Sequence, residues 1–166
     1  MKVLVPVDAS SVALAPIAHL RALGASGVEI EVLLLNVQPR FHRHIAQFSS
    51  RRARDLLRQE RSQLAMAKAI EALSHTRLLW RAFTEVGRPA ERIAAVAERE
   101  QVDEIMMCVG RHPALLRWLN PSIAHGVMAR TDIPVTVLAR GRPGALERLA
   151  LPAGVAGLAA LLFTAE

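Results

Sequence analysis

The sequence predicts an α/β fold, an open five-stranded parallel sheet with helices on both faces, and three observations carry that reading. Five apolar, β-rich runs follow one another, at 2–7, 28–37, 77–86, 104–109 and 134–139. The segments between them space their apolar residues as helices do. The runs are near-continuous in apolar character, as strands buried on both faces are, and parallel neighbours need a connecting helix. Right-handed crossovers then put helices on both sides of one sheet.

Taken in order, the first run ends at Asp8 and the first helix is expected over about 11–23. Pro16 lies beyond the position where proline is free, so the helix should start late or kink, and Gly24 and Gly27 should close it. The crossover over 39–75 is the longest. It predicts a helix from about Ser50, with Ala53, Leu56, Leu57, Leu64, Ala67, Ile70 and Leu73 facing inwards and arginines facing out. In 89–100, Pro89 suits a first helical position, and Ile93, Val96, Ala97 and Glu100 share a face. Asn120 and Pro121 read as N-cap and first residue of the last helix. No internal repeat or low-complexity linker interrupts the series. After a domain over 1–142, residues 143–166 form an apolar extension. Its uncharged stretch, 149–163, has 15 residues broken by Pro152, Gly154 and Gly157, short of the roughly 20 a membrane span needs. A tail that is buried or packed on a partner is expected, and no membrane span.

Composition narrows the function. The chain has 166 residues, 52% apolar and 22% charged, the size and balance of one globular domain. Cys108 is the single cysteine, which excludes an internal disulfide, and Asp8 comes too early for the apolar core of a signal peptide. The cytoplasm is the expected location. The net charge is +6, but only two of the 21 basic residues are lysines. Arg40, His42, Arg43, His44, Arg51, Arg52 and Arg54 read first as a solvated surface and second as a site for an anionic partner. With only Phe41 and Phe48 interleaved, a nucleic-acid partner is not expected. His42, His44 and His112 have no metal-ligand spacing. Cys108 lies in a buried run, and His112 and His125 have no acid at a telling spacing, so no catalytic residue is assigned. Asp8 lacks the second acid and the lysine of a phosphoacceptor site.

In an open parallel sheet, ligands bind beyond the carboxyl ends of the strands, where strand order reverses. Asp8, Val37, Gly87 and the 108–122 loop sit at such ends. If the first and fourth strands are neighbours, Asp8 would face that loop, an acceptor for ribose hydroxyls opposite helix amides suited to phosphate.

The stretches "VLVPVDAS", "VLLLNV", "EVGRPAERIAAVAEREQVDEIMM" and "PSIAHGVMARTDIPVTVLAR", in that order and spacing, resemble the universal stress protein family over residues 2–140. The resemblance implies a Rossmann-like sheet of the adenine-nucleotide alpha-hydrolase-like kind. It also implies a homodimer and a small cytoplasmic protein that accumulates under stress. One branch of the family binds ATP through a loop of the form G-x-x-G, nine residues, then G-S or G-T, whose glycines let backbone amides approach phosphate. Counted back from Ser122, the three glycine positions hold Cys108, Arg111 and Pro121. Aligning Gly110 with the first glycine puts Pro113 at the second and leaves the following spacing two residues short. Pro121 removes a donor, while the amides of Ser122 and Ile123 remain, and Arg111 and Arg117 offer guanidinium forks in place of amides. Pro6, Asp8 and Val37 match positions where ATP-binding members hold adenine and ribose.

The expected function is a non-enzymatic stress-response protein without a cofactor, not a tight ATP binder, that acts through homodimerisation and an unidentified protein partner. One alternative is a switch or slow ATPase that binds ATP with magnesium through Pro6, Asp8, Val37, Gly110, Arg111, Ser122 and Ile123. The other is an anionic-surface binder working through the arginine-rich segment 40–61.

Overall fold

The central strand of the sheet is β1 (Lys2–Pro6), whose apolar residues have neighbours on both edges and both faces. The computed structural model describes residues 1–8, 14–40, 50–110 and 121–140. The chain continues through α1 (Leu14–Ala25), β2 (Glu31–Gln38), α2 (Arg51–Ser74), β3 (Leu79–Val86), α3 (Pro89–Arg99), β4 (Glu104–Gly110), α4 (Pro121–Met128) and β5 (Val135–Arg140). All strands are parallel, in the order β3-β2-β1-β4-β5.

Two cores follow from the two-residue period of the strands. Val3 and Val5 of β1, with Val32 and Leu34 of β2, pack under α1 (Ile17, Leu20) and α2 (Met66, Ala69, Leu73). Leu4, Leu33, Leu35, Ile105 and Met107 point the other way, under α3 (Ile93, Val96, Ala97) and α4 (Ala124, Val127). Their register puts Leu4 opposite Leu33 on one side and Ile105 on the other.

The helices adjust several expectations. α1 begins at Leu14, so Pro16 falls in the first turn, where its missing N–H breaks no helical bond. Gly24 does not close that helix but lies within it, where a Cβ would stand 2.5 Å from a Leu78 methyl. Gly27, at φ 93°, takes the left-handed conformation that ends the segment. α2 starts as read, with the Ser50 hydroxyl accepting from the Ala53 amide at 3.1 Å.

The inward face assigned to α2 holds only near its carboxyl end. Leu73 is buried and Ile70 partly so, but Ala53 and Ala67 are exposed, and Leu56, Leu57 and Leu64 are 53%, 37% and 72% exposed. The row that is buried is Ser62, Ala65, Met66, Ala69 and Leu73, so Leu64 and Ala67 face outwards. Length explains the first turns. Twenty-four helical residues span about 36 Å, whereas the eight residues of β2 beneath span about 27 Å. The amino-terminal turns of α2 therefore overhang the carboxyl edge of the sheet.

On α3 the Ile93, Val96 and Ala97 face is buried as expected, but Glu100 is drawn to the surface. It pairs with Arg81 at 3.4 Å and with Arg99 at 3.3 Å, and Arg99 also pairs with Glu85 at 3.0 Å. Hydrogen bonds that Arg99 donates to Glu85 and Glu100 raise its guanidinium above its ordinary pKa. Pro121 is the first residue of α4, as read; its expected cap Asn120 lies outside the described residues, as do most of the 40–49 cluster and all of 143–166. Among the described residues no helix is long and apolar enough to cross a membrane.

Candidate functional site

Strand order reverses at β1: the chain leaves it towards β2 on one side and reaches β4 only later on the other. Beside this point, at the carboxyl ends of β1 and β2, lies a cleft of about 330 Å³. Pro6, Val7, Leu35 and Val37 form its strand-end floor. The middle of α2 supplies one wall, with Arg61, Leu64 and Ala65, and the start of α3 supplies the other, with Pro89 and Ile93. Such a mostly apolar hollow with a few polar groups is the usual form of a small-molecule site. A wider hollow of about 1010 Å³ at the amino ends of the strands, lined by Lys2, Arg21, His75, Arg77 and Asp103 among others, mixes both charges and lies away from the reversal.

The polar groups of the cleft are Asp8, Asn36, Gln38 and Arg61. Pro6 pairs with Leu35, and the Val7 amide donates to the Leu35 carbonyl at 2.8 Å, so β1 and β2 deliver Asp8 and Val37 to the same opening. Along β2, Val32 and Leu34 face α1 and α2, and the same row continues as Asn36 and Gln38. Both amides are buried, and both find partners. Asn36 Nδ2 donates to the Val7 carbonyl at 2.8 Å, and Gln38 Nε2 donates to Asn36 Oδ1 at 2.5 Å. The Ser62 hydroxyl of α2 meets the Thr84 hydroxyl of β3 in the same layer.

The other edge of Gln38 is held by β3. The Gly87 amide donates to the Gln38 carbonyl at 2.9 Å, and Gly87 reaches that position with φ 155°. A Cβ there would lie 2.7 Å from Arg92 Nε, so both the backbone and the space favour glycine. Gly87→Ala is expected to lower stability on the order of 1–3 kcal/mol, the usual cost of forcing a side chain into such a conformation. Urea denaturation would measure it. An unchanged midpoint would show that Arg92 and the backbone relax without cost.

Three of the expected site residues, Pro6, Asp8 and Val37, therefore meet in one cleft. Gly110 closes β4 opposite Arg140 of β5, and Ser122 lies in the first turn of α4, on the β4 side of the reversal. The Ile123 side chain packs into the core beneath α4, which leaves only its main chain to a ligand. Arg111 and Arg117 lie outside the described residues. Cys108 is buried in β4. Among the described residues no group of three or more His, Cys, Asp or Glu is placed to hold a metal ion.

Sequence reading missed Asn36, Gln38, Arg61, Leu64, Pro89 and Ile93 as cleft residues. Two amides ending an otherwise apolar strand were a usable signal, because buried amides need partners. Arg61 offered none, being one arginine among many on its helix.

The sequence matches the universal stress protein family over residues 1–139. The chain belongs to that family. Among solved structures, it is similar to hypothetical protein MJ0577, at 27% identity over 85% of this chain and 96% of that one, with a TM-score of 0.65. Hypothetical protein PH0823 is similar at 26% identity over the same shares of each chain, with a TM-score of 0.61. A universal stress protein family protein from Arabidopsis thaliana, solved with AMP bound, is 15% identical over 89% of this chain and 98% of that one, with a TM-score of 0.61. At that identity the likeness shows the fold alone. No curated protein matches the sequence. As a universal stress protein, the chain has a five-stranded parallel sheet in the order β3-β2-β1-β4-β5.

Proposed function

We propose that this universal stress protein works by binding rather than by catalysis. Its cleft takes an adenine nucleoside or its monophosphate, and it gains little from further phosphates. The observation that carries this is the meeting of Pro6, Asp8 and Val37 in one mainly apolar cleft at the strand reversal. Leu64, Pro89 and Ile93 offer apolar surface to a flat ring, and the Asp8 carboxylate suits ribose hydroxyls. One carboxylate, two amides and a guanidinium make a set that binds and orients. AMP on the Arabidopsis thaliana protein supports this choice of ligand.

The triphosphate is disfavoured on chemistry. Whether the loop is aligned through Cys108, Arg111 and Pro121 or through Gly110 and Pro113, at most one of the glycines that let amides approach phosphate is kept, and Pro121 has no N–H at all. Homodimerisation in the cytoplasm, with residues 143–166 as an apolar extension of the 1–142 domain, belongs to the same proposal. Through it a protein partner senses the ligand.

Calorimetric titration of adenosine, AMP and ATP with magnesium into nucleotide-stripped protein tests the reading. AMP and ATP should bind within about tenfold of each other, a difference of about 1.4 kcal/mol. ATP bound a hundredfold more tightly would overturn the claim about the loop. Silence towards all three would overturn the nucleotide reading and return the function to protein contacts alone.

A further inference from the structure

We infer that Gln38 reads the edge of the ligand's base, and that an amide relay through Asn36 fixes which way it reads. The inference rests on the nucleotide reading of the cleft and adds how that site tells one purine from another.

Gln38 lines the cleft and is only 8% exposed, and Asn36 behind it is 4% exposed. The orientation of a carboxamide is ambiguous until its partners decide it. Here the chain of partners begins at a group that can only accept. The Val7 carbonyl, 2.8 Å away, requires the NH₂ end of Asn36, so Asn36 must turn Oδ1 towards Gln38. At 2.5 Å that oxygen requires the NH₂ end of Gln38. Reversing either amide would set oxygen against oxygen. The backbone of Gln38 is pinned as well, by the Gly87 amide on its carbonyl at 2.9 Å.

The Gln38 carboxamide thus faces in one direction; among the described residues its side-chain hydrogen bond runs from Nε2 to Asn36, and its Oε1 is not among the fully buried atoms left without a partner. A ligand that covers this edge displaces its solvent, and an amide left unpaired beneath a ligand is unfavourable, so the groups that pair with it select the ligand. A side-chain amide offers one acceptor beside one donor. An aminopurine matches that pair, with its exocyclic N–H as donor and an adjacent ring nitrogen as acceptor. An oxopurine presents a carbonyl where the amino group was, and its neighbouring ring atoms offer either two acceptors or the reversed order. A free glutamine would flip to follow the reversed order. The relay prevents the flip, which turns a tolerant contact into a selective one.

The experiment titrates AMP, IMP and purine riboside 5′-monophosphate, which lacks the amino group, into the full chain and into Gln38→Met. The parent should prefer AMP over both others by about ten- to a hundredfold, the usual reach of one paired amide contact. In Gln38→Met the preference should vanish because AMP weakens while the other two hold. The ligand series on the parent needs no variant to fold, and ligand-free melting of Gln38→Met checks that its core is intact. Equal binding of AMP and IMP by the parent would overturn the inference while leaving the nucleotide reading in place. So would an undiminished preference in Gln38→Met. A parent that binds none of the three would overturn both.

Discussion

Leu4→Ala is expected to remove roughly 2–5 kcal/mol of folding stability, whereas Leu64→Ala should change it by no more than about 0.5 kcal/mol. Both replace a leucine, and their surroundings decide the difference. Leu4 is fully buried in the central strand, opposite Leu33 and Ile105 and under α3 and α4. Deleting its side chain leaves a cavity bordered by paired strands, which collapse poorly. Leu64 stands on the outward face of α2, beside the buried Ala65 and Met66, and is 72% exposed. Against a total stability of about 5–15 kcal/mol, the first loss would bring the domain near unfolding and the second would pass unnoticed. Urea denaturation of both variants checks this, with an unchanged slope to show that each remains two-state. Comparable losses at the two positions would mean that the Leu64 side of α2 is packed, as periodicity alone suggested.

That contrast also shows what the sequence makes legible. The five strands were readable because a parallel sheet buries both faces, so each strand is a near-continuous apolar run that no surface helix imitates. The strand order, with the reversal at β1, was only a condition in the sequence reading, and the structure supplies it. Periodicity named the wrong inward residues on α2 because it registers which face is apolar and not how far the supporting sheet extends. Leu56 and Leu57 lie on turns that run past the ends of β2. The cleft was legible in part for a similar reason. Pro6, Asp8 and Val37 belong to strand ends and a family pattern, which sequence preserves. Asn36 and Gln38 matter through a relay to the Val7 carbonyl on a neighbouring strand, a contact set by the β1 and β2 register rather than by local order. Arg61 reaches the cleft only because the middle of α2 packs beside the ends of β1 and β2.

Asp8→Ala is expected to remove about half or more of the thermal stabilisation that AMP gives the parent protein, each shift being measured from that protein's own ligand-free melting temperature. At a concentration a hundredfold above Kd, a ligand that binds only the folded state stabilises it by about 2.7 kcal/mol. For a chain of this size that raises Tm by about 5–10 °C. A hydrogen bond to a charged group contributes about 1.5–3 kcal/mol, so losing the Asp8 carboxylate should weaken binding by about ten- to a hundredfold. At the same AMP concentration the stabilisation then falls to about 0.4–1.4 kcal/mol. Asp8→Asn separates the charge from the acceptor. It keeps an oxygen for a ribose hydroxyl, and its shift should fall between those of the parent and of Asp8→Ala. Deoxyadenosine monophosphates supply the complementary change on the ligand. If Asp8 accepts from the 2′- or 3′-hydroxyl, removing that hydroxyl from AMP should cost the parent affinity and cost Asp8→Ala almost nothing, because the two deletions remove one shared contact. Equal AMP shifts in the parent and in Asp8→Ala would place the ribose elsewhere. Full additivity between the protein and ligand deletions would say the same, and the cleft would then have to be read from Arg61 and Gln38 instead.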